Sequence, residues 1–313
     1  MISIVIVNWN SGRQLYDLVC SILKCHNNVI DSLVIIDNAS VDNSLSCVKA
    51  ISDPPFGVKI IGNKTNLGFA AACNQGAALA ASKYLLFLNP DTRLFNDSLP
   101  TAVRFMEKKV NGHIAVAGVK LVDEEGRVSR SCSRFPCLAM FFAKSAGVNR
   151  LFRCPRLSQR MEEWEHNVTR QVDQVMGAFF LIRREVFESL GGFDERFFMY
   201  FEEVDLSLRA RDAGWGSIFI ADAEVFHAGG GCSIQVQPSR LFYSLRSRLL
   251  FGFKHFGILQ AMLLLFVTLQ LEAVSRLMLG ITQGKLEDVR NTLKAYGMLY
   301  RDLPNVFRRA ALS

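Results

Sequence analysis

Three short stretches of the sequence place carboxylates where they could do chemical work. The apolar run Tyr84–Leu88 leads into Asn89-Pro90-Asp91. A carboxylate just past a strand end can hold a divalent cation, Mg²⁺ or Mn²⁺, when a nucleotide's phosphates supply the remaining oxygens. The metal would then neutralise charge on a departing diphosphate. An ordinary strand-to-turn exit uses the same residue types, so this motif alone decides nothing. Residues 191 to 215 bring Glu202, Glu203 and Asp205 together at the start of a helix. Phe197, Phe198, Tyr200 and Phe201 precede them. Apolar walls raise a carboxylate's pKa, as a base that deprotonates an alcohol requires; plain compensation of the helix dipole is the alternative. Arg209, four residues beyond Asp205, suits an ion pair on one helix face. That gives Asp205 and Arg209 a supporting role and leaves Glu203 and Glu202 as catalytic candidates. His227, before a glycine run, could complete the Asp91 site as a metal ligand or be structural.

Two further stretches suit a nucleotide. In Val34–Ser44, Asp37 leaves an apolar run into a turn rich in Asn, Ser and Asp, with Ser40 or Asp42 as helix cap. Its carboxylate could accept a hydrogen bond from a base N–H. In residues 62 to 76, Gly68 and the alanines after it open a helix whose backbone N–H groups suit a diphosphate. No G-x-G-x-x-G fingerprint and no GK[ST] phosphate loop occur. This argues against a nicotinamide-dependent oxidoreductase. The place of a glycine-rich basic loop after the first strand is taken by Trp9-Asn10-Ser11-Gly12-Arg13, which argues against a sugar nucleotidyltransferase.

The elements that must position these residues follow from periodicity. Ile2–Val7, Ser32–Ile36, Val58–Ile61, Tyr84–Leu88 and Ile114–Val119 are nearly continuous apolar runs. Helix-like segments Gln14–Lys24, Asp42–Ile51, Phe69–Ala81 and Ser98–Lys108 separate them. The alternation predicts an α/β fold with a mainly parallel central sheet flanked by helices. Ligands then sit beyond the strand C-terminal ends, where Asn8, Asp37-Asn38 and Asn89-Pro90-Asp91 converge. A strand through Phe179–Ile182 and helices near Glu185–Leu190 and Val204–Ala213 follow a less regular stretch, 120 to 170. No secretory signal is visible at the N-terminus. The eight scattered cysteines, with no CxxC pair, are expected to be buried and reduced.

Of the net charge of +7, all lies beyond residue 233, where eleven Lys/Arg face four Asp/Glu. This argues against a general nucleic-acid binder, and an anionic membrane surface is the expected partner of the tail. Ile258–Leu271 is short of the roughly 20 apolar residues of a spanning helix. A helix lying in the interface is expected, with burial on the domain, a homodimer contact, or a true span as alternatives.

In chain order, VNWN, DNASVDNS, NLGFAAACNQG, FLNPD, GAFFLIRR, GGFDERFFMYFEEVDLSLR and FHAGGGCS resemble the family 2 inverting glycosyltransferases of GT-A fold. They are most similar to the bacterial rhamnosyltransferase-like group of cell-surface polysaccharide synthesis. The resemblance implies a catalytic domain over 1–232 and a basic, apolar helical tail over 233–313. It implies that Val7, Asn8 and Asp37 bind the nucleotide base, and that Asn63, Asn66 and Gly68 line the nucleotide pocket. Asn89 serves the same donor, Asp91 binds the metal, and His227 is similar to a metal ligand in relatives. The base is Glu202 or Glu203. The implied donor is a dTDP- or UDP-linked sugar, with dTDP-rhamnose favoured, and the acceptor is polyprenyl-linked or a glycan. The implied location is cytoplasmic, peripheral on the inner face of the membrane. Departures are Asn89 in place of Asp, Glu-Glu in place of Glu-Asp, and Gln174 where relatives often carry Trp. The competing expectation is a non-catalytic nucleotide-sugar-binding subunit of a glycan assembly complex.

Overall fold

The computed structural model of the protein describes residues 1–25, 28–49, 54–148, 154–229 and 237–311. The expected boundary at 232/233, Cys232 and the last residues of the glycine run lie outside the described residues. The chain forms two units. The first comprises Met1–Arg134, Arg160–Glu195 and Glu202–Cys232; the second comprises Phe135–Gln159, Arg196–Phe201 and Ser233–Ser313.

The first unit is built on a nine-stranded sheet. Strands β1 (Ile2–Asn8), β2 (Ile30–Asp37), β3 (Gly57–Gly62) and β4 (Tyr84–Leu88) are followed by β5 (Thr92–Leu94) and β6 (Ile114–Val122). Later come β7 (Cys132–Ser133), β8 (Arg170–Val172), β9 (Gln174–Val175), β10 (Phe179–Arg183) and β11 (Gly216–His227). The order is β3-β2-β1-β4-β10-β6-β11-β5, with β8 also paired to β11; β7 and β9 form a separate ribbon. β1 pairs in parallel with β2 and β4, and β2 with β3. β10 runs antiparallel between β4 and β6, so β6 and its parallel partner β11 point the same way as β4. The C-terminal ends of β1, β2, β4 and β11 therefore share one edge of the sheet.

Both faces of the sheet are covered along β1, β4 and β6, which is why these strands read as continuous apolar runs, whereas β3, at the end of the strand order, is largely exposed. Along β1, Ile2, Ile4 and Ile6 enter one core while Val5 and Val7 enter the other. On β4, Leu86 and Leu88 go to the first side, and Leu85 and Phe87 to the second. The flanking helices are α1 (Arg13–Lys24), α2 (Ser44–Lys49), α3 (Phe69–Ala78), α4 (Ser98–Glu107), α6 (Arg184–Ser189) and α7 (Glu202–Asp212). α3 lies close on β1, for a Cβ at Gly76 would fall 2.3 Å from Val5 Cγ1. The small residues that follow Gly68 thus serve close helix–sheet packing. Arg183 is buried near the far edge, donating to Ile114 O, Met106 O and Asn111 O.

The second unit is helical: α5 (Leu138–Ser145), α8 (Gln237–His255), α9 (Ile258–Thr282, with a π-turn over Val267–Glu272) and α10 (Leu286–Ala310). α9 runs past the expected end at Leu271. By length and composition it could cross a bilayer. Its two charged residues, however, face a partner inside the unit. Glu272 binds Arg248 of α8 at 2.6 Å and Arg276 at 2.7 Å, and accepts a hydrogen bond from Ser145 Oγ at 3.2 Å. A Cβ at Gly252 would fall 2.4 Å from Leu264, so α8 and α9 meet closely there. The irregular stretch found in the sequence thus divides. Residues 135–159 belong to this helical unit. The aromatic residues set as walls for the acidic cluster also pack here, with Phe198 stacked on Tyr243 and Phe201 against Phe141 and Phe251.

Among the described cysteine side chains all are free, but only Cys25, Cys73 and Cys132 are buried. Cys137 is exposed, and Cys20 and Cys154 are half-buried, so the expectation of general burial is corrected. Cys137 directly precedes the first turn of α5, whose buried side chains begin only at Phe141.

Candidate active site

At the end of β1, Asn8 is fully buried and its amide organises the next two turns. Nδ2 donates to Asp37 Oδ1 at 2.7 Å, to Ser44 Oγ at 2.9 Å and to Ser40 Oγ at 3.0 Å, while Oδ1 accepts from Ser11 Oγ. Asp37 Oδ2 also accepts from Ser40 N. Asp42, the expected cap, accepts from Ser44 N and from Gly12 N. Burial works to raise its pKa, but these hydrogen bonds outweigh burial and hold it below the usual carboxylate range. Asn8 and Asp37 are thus locked together on one edge, beside Val7 at the same strand end.

Asn38, which the sequence places at the same strand exit but to which it assigns no role, holds the loop after β3. Its Nδ2 donates to Asn66 Oδ1 and Gly68 O, and its Oδ1 accepts from Asn63 Nδ2 and Leu67 N. Asn63 also binds Gln75 at 2.9 Å. The side chains of Asn63 and Asn66 are therefore engaged in shaping the loop that delivers Gly68, with φ of 91°, to the start of α3. A second Asx directly after a strand-end Asp was the available signal for Asn38.

The turn after β4 places Asp91 against the end of β11. β5 runs antiparallel to β11, pairing Thr92 with His227, and Ala228 N donates to Asp91 O at 3.0 Å. His227 Nε2 then lies 3.4 Å from Asp91 Oδ1, with both side chains about nine-tenths buried. One carboxylate oxygen and one imidazole nitrogen side by side fit a divalent cation shared with phosphate oxygens. Among the described residues no cluster of three His, Cys, Asp or Glu is present. The pair therefore fits a metal completed by its substrate and does not form an all-protein cage.

Asn89 N donates to Ala178 O at 3.1 Å. The adjacent Gly177 borders Glu203, whose Cγ would lie 3.9 Å from a Cβ placed there. The loop before β10 thus links the Asn89-Pro90-Asp91 turn to the start of α7. Glu202 and Glu203 open that helix, directly after Tyr200 and Phe201, which hold positive φ values of 66° and 70°. Left-handed backbone at two successive non-glycine residues stores about 1–3 kcal/mol each. Glu202 is buried and Glu203 half-buried, and each keeps an Oε2 that is shielded from water and has no hydrogen-bond partner among the described residues. Burial, then the charge of Glu203, raises Glu202 well above the usual carboxylate range. Burial also raises Glu203. Cys73 of α3 faces both; its thiol is pushed up by burial and further by their charges.

Asp205, fully buried, accepts from Arg209 Nε at 2.8 Å, as the spacing predicts. Arg209 also donates to Leu190 O at 2.6 Å and Gly192 O at 2.8 Å, which ties the Gly191-Gly192 turn to α7.

A central sheet, mostly parallel and flanked by helices, whose edge gathers the Asn8–Asp37 pair, the start of α3, the Asp91–His227 pair and the carboxylates of Glu202 and Glu203 is the architecture of the GT-A glycosyltransferases. The backbone aligns with the mannosyltransferase PcManGT of Pyrobaculum calidifontis, solved with GDP-Man and Mn²⁺, at a TM-score of 0.55 and 14% identity, covering 99% of this chain and 86% of that one. The chain belongs to glycosyl transferase family 2, whose profile matches residues 3–191. It is 26% identical over 243 residues to the N-acetylglucosaminyl-diphospho-decaprenol L-rhamnosyltransferase of Mycobacterium tuberculosis, covering 72% of this chain and 76% of the relative. It is 31% identical over 161 residues to rhamnosyltransferase WbbL of Escherichia coli K12, covering 50% of this chain and 56% of that one.

Proposed function

We propose that this glycosyltransferase moves rhamnose from dTDP-rhamnose to a hydroxyl of a polyprenyl-diphosphate-linked acceptor, with inversion at the anomeric carbon. The observation that carries the chemistry is the pair Glu202/Glu203, with buried, unpartnered oxygens, joined through Gly177 and Ala178 to the Asp91 turn. Sugar and acceptor class rest on the names of the two rhamnosyltransferase relatives.

In this reading Asn8 and Asp37 receive the base and the start of α3 faces the diphosphate. Asp91 and His227 hold Mg²⁺ or Mn²⁺, which supplies charge neutralisation to the leaving diphosphate. Glu203, the more accessible of the pair, takes the proton of the acceptor hydroxyl as its oxygen forms the new bond to the anomeric carbon. The bond to the diphosphate oxygen breaks on the opposite face, and its electron pair leaves with the nucleotide. Glu202, whose pKa burial raises well above the usual carboxylate range, takes up a proton more readily than Glu203 and so limits the negative charge beside it. The raised pKa of Glu203 makes it a stronger base than an exposed glutamate.

The test is thermal stabilisation by a panel of nucleoside diphosphates and sugar nucleotides, each with and without Mn²⁺, followed by NMR of the product. Ligands that bind the native state raise Tm by mass action. A metal-dependent shift with dTDP-rhamnose, and a product of inverted anomeric configuration, is expected. A shift confined to other sugar nucleotides refutes the donor; no shift with any refutes the site.

A further inference from the structure

α9 carries two charged residues in 25, Glu272 and Arg276, and both are used inside the unit with Arg248. Its other face is uncharged and bare. Ile258 and Leu259 are each 73% exposed, Phe266 is 62% exposed, and Val274, Met278 and Ile281 are 58–60% exposed. At 1.5 Å per residue this face runs for roughly 37 Å, far more than a surface helix of a soluble protein leaves uncovered.

α10 adds a second feature, which hydropathy alone does not reveal. Leu286, Leu293, Tyr300 and Phe307 recur every seven residues and are all exposed. Arg290, Lys294, Arg301 and Arg308, also exposed, stand on the adjoining stripe, four residues after Leu286 and one after each of the other three. The acidic residues of α10 are Glu287 and Asp288 in the first turn and Asp302, which is held by Arg246 at 2.6 Å. An apolar line beside a column of cations is the pattern of a helix lying in a lipid interface.

We propose that the exposed faces of α9 and α10 dock the protein on an anionic phospholipid bilayer, with α9 entering the acyl boundary and the α10 cations meeting lipid phosphates. This rests on the reading of a lipid-linked acceptor and names the surface on which that acceptor is met. A second copy of the chain is the weaker occupant. A two-fold contact is self-complementary, and the α10 column has few acidic residues outside its first turn to receive its own image. A spanning arrangement would take Glu272 from Arg248, leaving the buried arginine without its charge partner.

The test uses the full-length protein without donor or acceptor, in co-sedimentation with vesicles of phosphatidylcholine alone and with phosphatidylglycerol added. Binding to the anionic vesicles is expected, and it should weaken as salt is raised. Each cation near such a surface contributes about a fivefold factor, so the quadruple variant R290S/K294S/R301S/R308S should lose on the order of several hundredfold in partitioning. L263S/F266S should lose roughly tenfold or more on vesicles of either composition. These side chains are exposed, and unchanged helical circular dichroism shows that a loss is not unfolding. Absence of binding by the wild type, or salt-independent binding that the variants leave unchanged, overturns the platform. A dimer in ultracentrifugation that L263S/F266S dissociates, without vesicle binding, assigns the face to a second copy and also overturns it. Transfer to a short soluble acceptor is unaffected by either variant, so failure of the platform is distinguished from failure of the transferase reading.

Discussion

Replacing Glu272 with Gln should destabilise the helical unit by about 3 kcal/mol at neutral pH, and the effect should fade in acid. Burial works to raise the pKa of this carboxyl, but the charges of Arg248 and then Arg276 outweigh it and hold it down at about 2, against 4.5 for an ordinary glutamate. At 1.36 kcal/mol per pH unit, that separation is worth about 3 kcal/mol. Because the folded value is the lower, the contribution is complete above about pH 4.5 and is lost as pH falls towards 2. The two units can be followed separately. Trp9, Trp164 and Trp215 all lie in the sheet unit, so tryptophan fluorescence reports that unit, while circular dichroism at 222 nm is weighted towards the helical one. Urea unfolding followed by circular dichroism at pH 7 should show the full difference between wild type and variant. At pH 3 a good part of it should be gone, because the unfolded wild-type carboxyl is then largely protonated and folding must release that proton. A difference that is the same at both pH values would mean that the Arg248–Glu272–Arg276 cluster does not hold its charge as described, and the argument would fail.

The catalytic centre offers further tests. Asp91→Ala should abolish turnover together with the Mn²⁺-dependent part of the donor-induced Tm shift; a variant that keeps that shift would place the metal elsewhere. Glu203→Gln should lower kcat by several orders of magnitude while leaving the donor Kd in place, measured by calorimetry and single-turnover kinetics. Glu202→Gln should stabilise the protein at pH 8, because a buried carboxyl with a raised pKa is penalised once pH exceeds its unfolded value. The gain should vanish near pH 4, and Tm at the two pH values decides. Arg209→Ala removes the guanidinium that donates to the buried Asp205 at 2.8 Å and frees the carbonyls of Leu190 and Gly192. A loss of about 3–5 kcal/mol in urea unfolding is expected.

Most of the strands that can be read from the sequence are buried on both sides; β3, legible as Val58–Ile61, is the exposed exception. Ile2–Asn8 and Tyr84–Leu88 are legible because a doubly covered strand is apolar without interruption. β5, with three residues, and the interrupted pairing of β11 with β6 carry no such signal, although they are what sets His227 beside Asp91. Asp205 and Arg209 were legible as a local pair, since a spacing of four on a helix settles contact. The extent of α9 was not. Glu272 and Arg276 read as the end of an apolar run, because Arg248, which neutralises Glu272, lies in a different helix. Asn38 was legible as part of a polar strand exit, but its role in holding the loop was not, for a related reason. A turn rich in Asn, Ser and Asp shows where polar groups gather, but not which one the next loop closes upon.

The helical unit is assembled from pieces that leave the ribosome far apart in time. Ser145 and Glu272, bonded in the finished unit, are separated by 127 residues. At a synthesis rate of roughly 5–20 residues per second, α5 waits about 6–25 s for that partner. During that interval the side chains of Phe141 and Ala143, buried in the native unit, have no helical bundle to enter. The sheet has a shorter wait of the same kind, because β4 is completed on one side only when β10 arrives. A nascent chain of this protein therefore carries an unfinished apolar segment through about two-fifths of its synthesis. Its yield in the cell depends on what shields that segment as well as on the stability of the finished fold.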